Sequence, residues 1–178
     1  ANGERSVILD IFNTNPKRWG ARLEPIASPV DAIIYELHIR DFTISPTSGV
    51  TNKGKFLGVV EEGTLSVNGD RTGLDYLKEL GVSHVQILPM ADFCTVNELK
   101  PLEQYNWGYD PQNFNVPEGS YATNPYQPEV RILEMKEMIQ GLHDAGIRVI
   151  MDVVYNHVYL PKLHALEKTV PGYYFRKN

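Results

Sequence analysis

The sequence has one cysteine, Cys94, in 178 residues, so no internal disulfide can form and no disulfide framework holds the fold. A lone thiol without a surrounding signature reads as a buried or incidental residue. No apolar run approaches the ~18 residues that span a bilayer, so no membrane-spanning helix is expected, and no membrane partner is expected either. No basic stretch followed by an apolar one opens the sequence. No signal peptide is therefore visible, and the compartment, cytoplasmic or secreted, stays open. Positive charge is also scarce. There are 17 Lys and Arg against 22 Asp and Glu, for a formal net charge of −5, and the two signs are interspersed. A nucleic-acid surface needs a concentrated positive field, and this chain lacks one. Repeats and low-complexity runs are missing too. The remainder is an ordinary globular composition, long enough to bury a sizeable core.

Aromatic side chains are plentiful, with ten Tyr and two Trp, and they crowd into particular loops. The stretch QYNWGYDPQNFNVPEGSY, residues 104–121, is rich in rings and nearly free of charge. A loop kept only for connection would be shorter and more polar.

Three apolar runs read as buried strands: Asp31–Ile39, His84–Met90 and Arg148–Val154. Between the first two lie a Gly-, Ser- and Thr-rich loop and a short helix. There Thr72 and Asp75 have the spacing of a capping box, Leu74, Leu77 and Leu80 give an apolar face, and Gly81 supplies the left-handed cap. A second helix starts at Pro128, places Ile132, Met135, Ile139 and Leu142 among its charges, and closes at Gly146. Ser6–Ile11 reads as a further strand, broken after it by Pro, Gly and Asn. A short helix is expected near Leu163–Lys168. The order β–α–β–α–β implies parallel strands joined by right-handed crossovers, in a doubly wound sheet or a (β/α) barrel. Three strands cannot close a barrel of eight. In both architectures ligands meet the carboxyl ends of the strands. Those ends carry His38-Ile39-Arg40-Asp41, the aromatic stretch, and Asp152…Asn156-His157.

Asp152 sits inside an apolar run, where a carboxylate is costly without a partner. A structural pairing with a neighbouring Arg competes with a functional role. A strand-end histidine such as His157 is often no more than a satisfied polar residue. Asp152, Asn156 and His157 lack zinc-ligand spacing, while oxygen-liganded calcium through Asn156 stays open. Trp107-Gly108-Tyr109-Asp110 offers what a sugar needs in one turn. Rings can lie on the C–H faces and polar groups can reach the hydroxyls, with Gly108 permitting close backbone approach. Rings that simply pack beneath a long loop are the competing reading.

YNWGYDP (Tyr105–Pro111) and DVVYNH (Asp152–His157), in that order, resemble the α-amylase superfamily of glycoside hydrolases, and specifically its type I pullulanase branch. AIIYELHIRDF and TGLDYLKELGVSHVQILPM are similar to the same family, so the resemblance runs from about Ser6 to Arg176. It implies an α/β fold, the N-terminal portion of a TIM (β/α)8 barrel, with about three β/α units over 31–178 and the barrel incomplete in this chain. Residues 1–30 would be a linker and the last strand of a preceding β-sandwich domain.

The implied activity of the whole enzyme is cleavage of α-1,6-glucosidic links in pullulan, amylopectin and glycogen limit dextrins, with retention of configuration. The resemblance implies that Tyr109 stacks under the sugar on the non-reducing side of the scissile bond. It also implies that His157 bonds that sugar's hydroxymethyl group, that Asp152 orients an arginine on the next strand, and that Asp110 frames the subsite beside Trp107. No cofactor is required, and calcium is the ion that Asn156 would admit. The family's nucleophile Asp and acid Glu follow later strands. None of Asp41, Asp92 or Glu118 matches those positions, so the 178-residue chain alone is expected to be inactive and poorly stable, with the remaining barrel half as its partner. Two other readings stand beside this one: a related isoamylase or branching-type enzyme, and a non-catalytic α-glucan-binding fragment. A metal-dependent hydrolase is weaker, because strand one offers only His38 where paired histidines are needed.

Overall fold

A computed structural model describes residues 6–20 and 22–176. The three apolar runs form one parallel sheet, β1 (Ile34–Leu37), β2 (His84–Ile87) and β5 (Arg148–Met151), in the order β1-β2-β5. Ile34 lies opposite His84, and His84 opposite Arg148, so the carboxyl ends of the strands finish level. Each strand is shorter than its apolar run. After Leu37 the chain turns at once into α1 (Ile39–Thr43), whose first turn is capped by the His38 ring accepting the Asp41 amide. Beyond β5 the ladder reaches one residue further, with the Asp152 amide donating to Ile87.

Helices cover one side of the sheet. α2 (Phe56–Val59) contributes Phe56 and Val59, α3 (Gly73–Leu80) contributes Leu74 and Leu77, and α4 (Pro128–Asp144) contributes Met138 and Leu142. These meet Leu37, Val85 and Ile87 in a common core. Alternation along β2 decides which side chains enter: Val85 and Ile87 are fully buried, while His84 and Gln86 are not. Leu80 is left largely exposed, so the apolar face of α3 is narrower than its sequence suggests. Gly81 takes the left-handed conformation at φ 73°, as its position predicts. The expected capping box is not formed. Thr72 Oγ1 donates to the Ser48 carbonyl at 2.6 Å, and the Asp75 carboxylate accepts the Gly63 amide at 2.6 Å. Both side chains hold the preceding loop instead, because that loop folds back within their reach.

On α4 the buried stripe centres on Met138 and Leu142. Ile132 and Met135 line an apolar cleft of about 240 Å³ beside β5, with Phe114, Met151 and Val153. Glu134 and Lys136 are buried on the same helix, each with partners. Glu134 accepts from the Thr123 amide and hydroxyl. Lys136 Nζ donates to Ile11, Thr14 and Asn15 and so ties the amino-terminal segment down. The strand expected over Ser6–Ile11 is not found. Residues 6–10 pair with no strand among the described residues, and Ile11–Thr14 form a 3₁₀ turn capped by Asp10. A strand persists only where a neighbour takes its backbone groups.

The aromatic stretch is not all loop. β3 (Ala91–Phe93) pairs antiparallel with β4 (Pro111–Pro117), with register shifts at Asp92. Proline at both ends of β4, and two asparagines inside it, hide the strand from a propensity reading. The carboxy-terminal helix falls at α5 (Ala165–Thr169), close to its expected place. No helix among the described residues is long and apolar enough to cross a membrane.

Gly141 shows how tightly α4 seats. A Cβ there would lie 2.9 Å from Val60 Cγ1 and 3.0 Å from its Cβ. Alanine normally stabilises a helix interior relative to glycine by about 1 kcal/mol. Gly141→Ala is expected to reverse that sign and destabilise the fold by about 1–3 kcal/mol, read as a lower denaturant midpoint at unchanged slope.

Candidate functional site

At the carboxyl rim of the sheet the chain after β2 runs out through β3, turns at residues 105–110, and returns along β4. The turn is built by Asn106. Its Nδ2 donates to Asp110 Oδ1 at 2.6 Å and to Thr95 Oγ1 at 2.5 Å, while its Oδ1 accepts the Gly108 amide at 2.7 Å. This side-chain turn sets a left-handed Gly108 at φ 92°, where a Cβ would lie 2.2 Å from the Pro89 carbonyl oxygen. Only glycine fits so close to the end of β2. With its backbone pressed down there, the turn presents its rings outward. Trp107 is 64% exposed and Tyr109 40% exposed. Together with Tyr105, Asn106 and Asp110 they line an open cleft of about 510 Å³.

Tyr109 joins this turn to the end of β5. Its hydroxyl donates to Asp152 Oδ2 at 2.8 Å, and its carbonyl accepts from His157 Nε2 at 2.6 Å. The carboxylate next to its hydroxyl pushes the Tyr109 phenol up to about 12, so the O–H stays on and remains a donor. Asp152 thus meets a phenol rather than an arginine among the described residues, which answers the cost of placing it in an apolar run. The structure brings Trp107, Tyr109, Asp110, Asp152 and His157 to one rim. Asn156 lies exposed in the loop just past β5.

Three further residues shape this rim, and the sequence points to them less directly. Asn106 carries a readable signal, since Asn two positions before Gly is a side-chain turn. Tyr105 donates to Asp41 Oδ2 at 2.9 Å beneath the Arg40 guanidinium, which lies 5.6 Å from its ring centre. Tyr121 is buried, with its hydroxyl 3.0 Å from His38 Nε2. Nothing local in the sequence announces either contact, because each spans more than sixty residues. Burial lowers the His38 imidazole below its ordinary range, in keeping with an Nδ1 that accepts the Asp41 amide and so carries no proton.

Behind the rim, Asp92, Glu98 and Glu118 converge, all buried, with one carboxylate oxygen from each within 4.8 Å of the others. This is the grouping whose donors could suit a hard cation, and Asn156 is not part of it. Each of its carboxylates already has a partner. Arg131 forks onto Glu98 at 2.9 and 2.8 Å, Glu118 accepts the Ser120 and Phe93 amides, and Asp92 accepts from Asn113. The guanidinium supplies the positive charge that a metal would. Burial pushes Glu118 up to about 7 and Asp92 up to about 6.

Residues 38–165 match the family described as alpha amylase, catalytic domain. The pullulanase of Bacillus subtilis strain 168 is 54% identical over 177 residues, which is 99% of this chain and 24% of that protein. A pullulanase of Paenibacillus barengoltzii, solved with maltohexaose and α-cyclodextrin, superposes with a TM-score of 0.95 at 56% identity, covering 99% of this chain and 28% of that one. The pullulanase of Anoxybacillus sp. LM18-11, solved with maltotetraose, gives 0.94 at 52%, again over 99% of this chain and 26% of its own. The chain therefore spans about a quarter of the length of these relatives. The α/β architecture is TIM-barrel-derived.

The raised acids make a pH prediction. Asp92 keeps its proton in the folded state up to about pH 6, whereas the unfolded chain loses it near its ordinary value of 3.8. Across that window the folded state binds more protons, so stability falls as pH rises. Asp92→Asn removes the titration but keeps the shape. Its loss of stability between pH 4 and pH 6.5 is expected to be smaller than the wild type's by on the order of 2 kcal/mol, measured by urea unfolding at each pH.

Proposed function

Because this chain belongs to the alpha-amylase family, we propose that it forms the sugar-facing wall of a debranching glycoside hydrolase that cleaves α-1,6-glucosidic links in pullulan, amylopectin and related α-glucans. One observation carries this reading: an exposed pair of rings, Trp107 and Tyr109, shares a rim with Asp152 and His157 at the carboxyl ends of parallel strands. A glucosyl unit has apolar C–H faces and polar edges. The Tyr109 ring offers a plate for one face, while the Asp152 carboxylate and the His157 imidazole border that plate. Trp107 offers a second plate further out in the same cleft. The pullulanases solved with maltohexaose and with maltotetraose support the choice of a glucan.

In this proposal residues 31–178 supply the first three β/α units of a (β/α)8 barrel and residues 1–30 lead into it from a preceding domain. The reaction is a retaining double displacement. One carboxylate attacks the anomeric carbon while an acid about 5–5.5 Å away protonates the leaving oxygen. The acids at this rim support a wall role rather than those two roles. Asp41 accepts from Tyr105, Asp110 from Asn106, and Asp152 from Tyr109. The nucleophile and the acid are assigned to later strands, the arginine that Asp152 orients to the next one, and the remaining barrel is the partner that completes the site. The chemistry calls for no cofactor, and any calcium held through Asn156 would be structural.

The full-length protein is expected to release reducing ends from pullulan much faster than from amylose. Tyr109→Ala is expected to lower kcat/KM on pullulan at least about tenfold. Preferential action on amylose, or a Tyr109→Ala enzyme as efficient as the wild type, would count against the assignment.

A further inference from the structure

Three of the chain's five histidines end on the backbone of one segment, at every third carbonyl. His38 Nε2 meets the Asn106 oxygen at 2.9 Å, His157 Nε2 meets Tyr109 at 2.6 Å, and His164 Nε2 meets Gln112 at 2.7 Å. They come from three places: the end of β1, the loop after β5, and the residue before α5. A carbonyl only accepts, so each Nε2 must carry a proton. For His38 and His164 the tautomer is fixed from the other side. His38 Nδ1 accepts the Asp41 amide at 3.3 Å, and His164 Nδ1 accepts the Leu166 amide at 3.2 Å. Each ring therefore caps a helix with one nitrogen and grips the aromatic segment with the other. The His38 ring is also packed, at 6% exposure, beside Tyr105 and Tyr121.

We propose that His38 and His164 are positioning residues that clasp the Asn106–Gln112 segment at its two ends, so that Tyr109 and Trp107 are held ready for a saccharide that neither histidine touches. The consequence for binding rests on the glucan reading above, while the clasp itself does not. The clasp acts through the backbone. The Asn106 carbonyl belongs to the residue whose side chain builds the turn, and Gln112 is the second residue of the return strand, just after Pro111. Holding these two points limits the freedom of the residues between them, which otherwise have to be ordered when a ligand arrives.

The test separates the cap from the clasp. In asparagine the side-chain oxygen sits where Nδ1 was, so His38→Asn and His164→Asn keep a good helix cap and lose the carbonyl contact. In glutamine the amide nitrogen sits where Nε2 was, so His38→Gln and His164→Gln keep the clasp and lose the cap. All four are made in the full-length protein. Amide hydrogen exchange is followed over residues 104–112, with the Leu88 amide, bonded to Leu37 in the sheet, as the internal reference. Maltotriose binding is followed by calorimetry.

The expected result is exchange about five- to tenfold faster over 104–112 in each Asn variant, with the Leu88 amide unchanged and maltotriose Kd raised by a similar factor. The Gln variants stay within about twofold of wild type. Exchange over 104–112 that is unaltered in the Asn variants, or raised as much in the Gln variants, would overturn the clasp. If His38→Asn also frees the Leu88 amide, the fold as a whole has opened and the His164 pair decides by the same criteria. Absence of maltotriose binding in the wild type would remove the glucan reading and leave the exchange result to judge the clasp.

Discussion

One hydrogen bond closes the rim of this molecule: the Tyr109 hydroxyl donating to Asp152. It joins the excursion after β2 to the end of β5, and the His157 ring on the Tyr109 carbonyl joins the same two parts beside it. The carboxylate gains the partner that an apolar strand denies it, and the phenol gains a fixed orientation and a pKa near 12. An exposed bond of this kind contributes little to stability. What it fixes is direction, since the ring's open face must point into the cleft when its oxygen is held at the strand end. The level carboxyl ends of β1, β2 and β5 make this possible, because in-register parallel pairing brings Asp152 alongside the start of the excursion.

Behind that bond lies a layer of buried polar groups whose partners come from the excursion and from α4. Glu118 accepts two amides, Arg131 forks onto Glu98, and Gly119 leaves room for both, since a Cβ there would lie 2.3 Å from Arg131 Nη2 and from Glu98 Oε1. Such groups are costly if left unpaired and worth modest amounts when paired. Their effect is to make one path of the chain between Phe93 and Ser120 far better than its alternatives. The aromatic segment is thus supported from below by carboxylates and at its flanks by imidazoles, and its outer surface is free to carry rings.

Much of this was legible in the residues. The three β-branched runs give the parallel sheet, Gly81 and Gly146 end their helices as placed, and YNWGYDP and DVVYNH mark the two elements that meet at the rim. What was hidden has physical causes. Strand lengths depend on where pairing stops, which no single run reveals. The Thr72–Asp75 spacing fits a capping box, but both side chains found better partners in the loop before the helix. Ser6–Ile11 is apolar enough for a strand, and a strand needs a neighbour. The β3–β4 pair was masked by proline and asparagine. Tyr105 and Tyr121 act through contacts far along the chain, beyond any local pattern. The open apolar cleft beside β5 fits a sheet edge that, in the proposed barrel, the next strand covers.

The most direct measurement is a crystal structure of the full-length protein with maltotriose bound. A glucosyl ring is expected to lie against the Tyr109 plate, bordered by Asp152 and His157, with the 106–112 backbone where it stands without ligand. A saccharide bound elsewhere with this rim empty, or a Tyr109 ring turned away from Asp152 with the ligand in place, would contradict it.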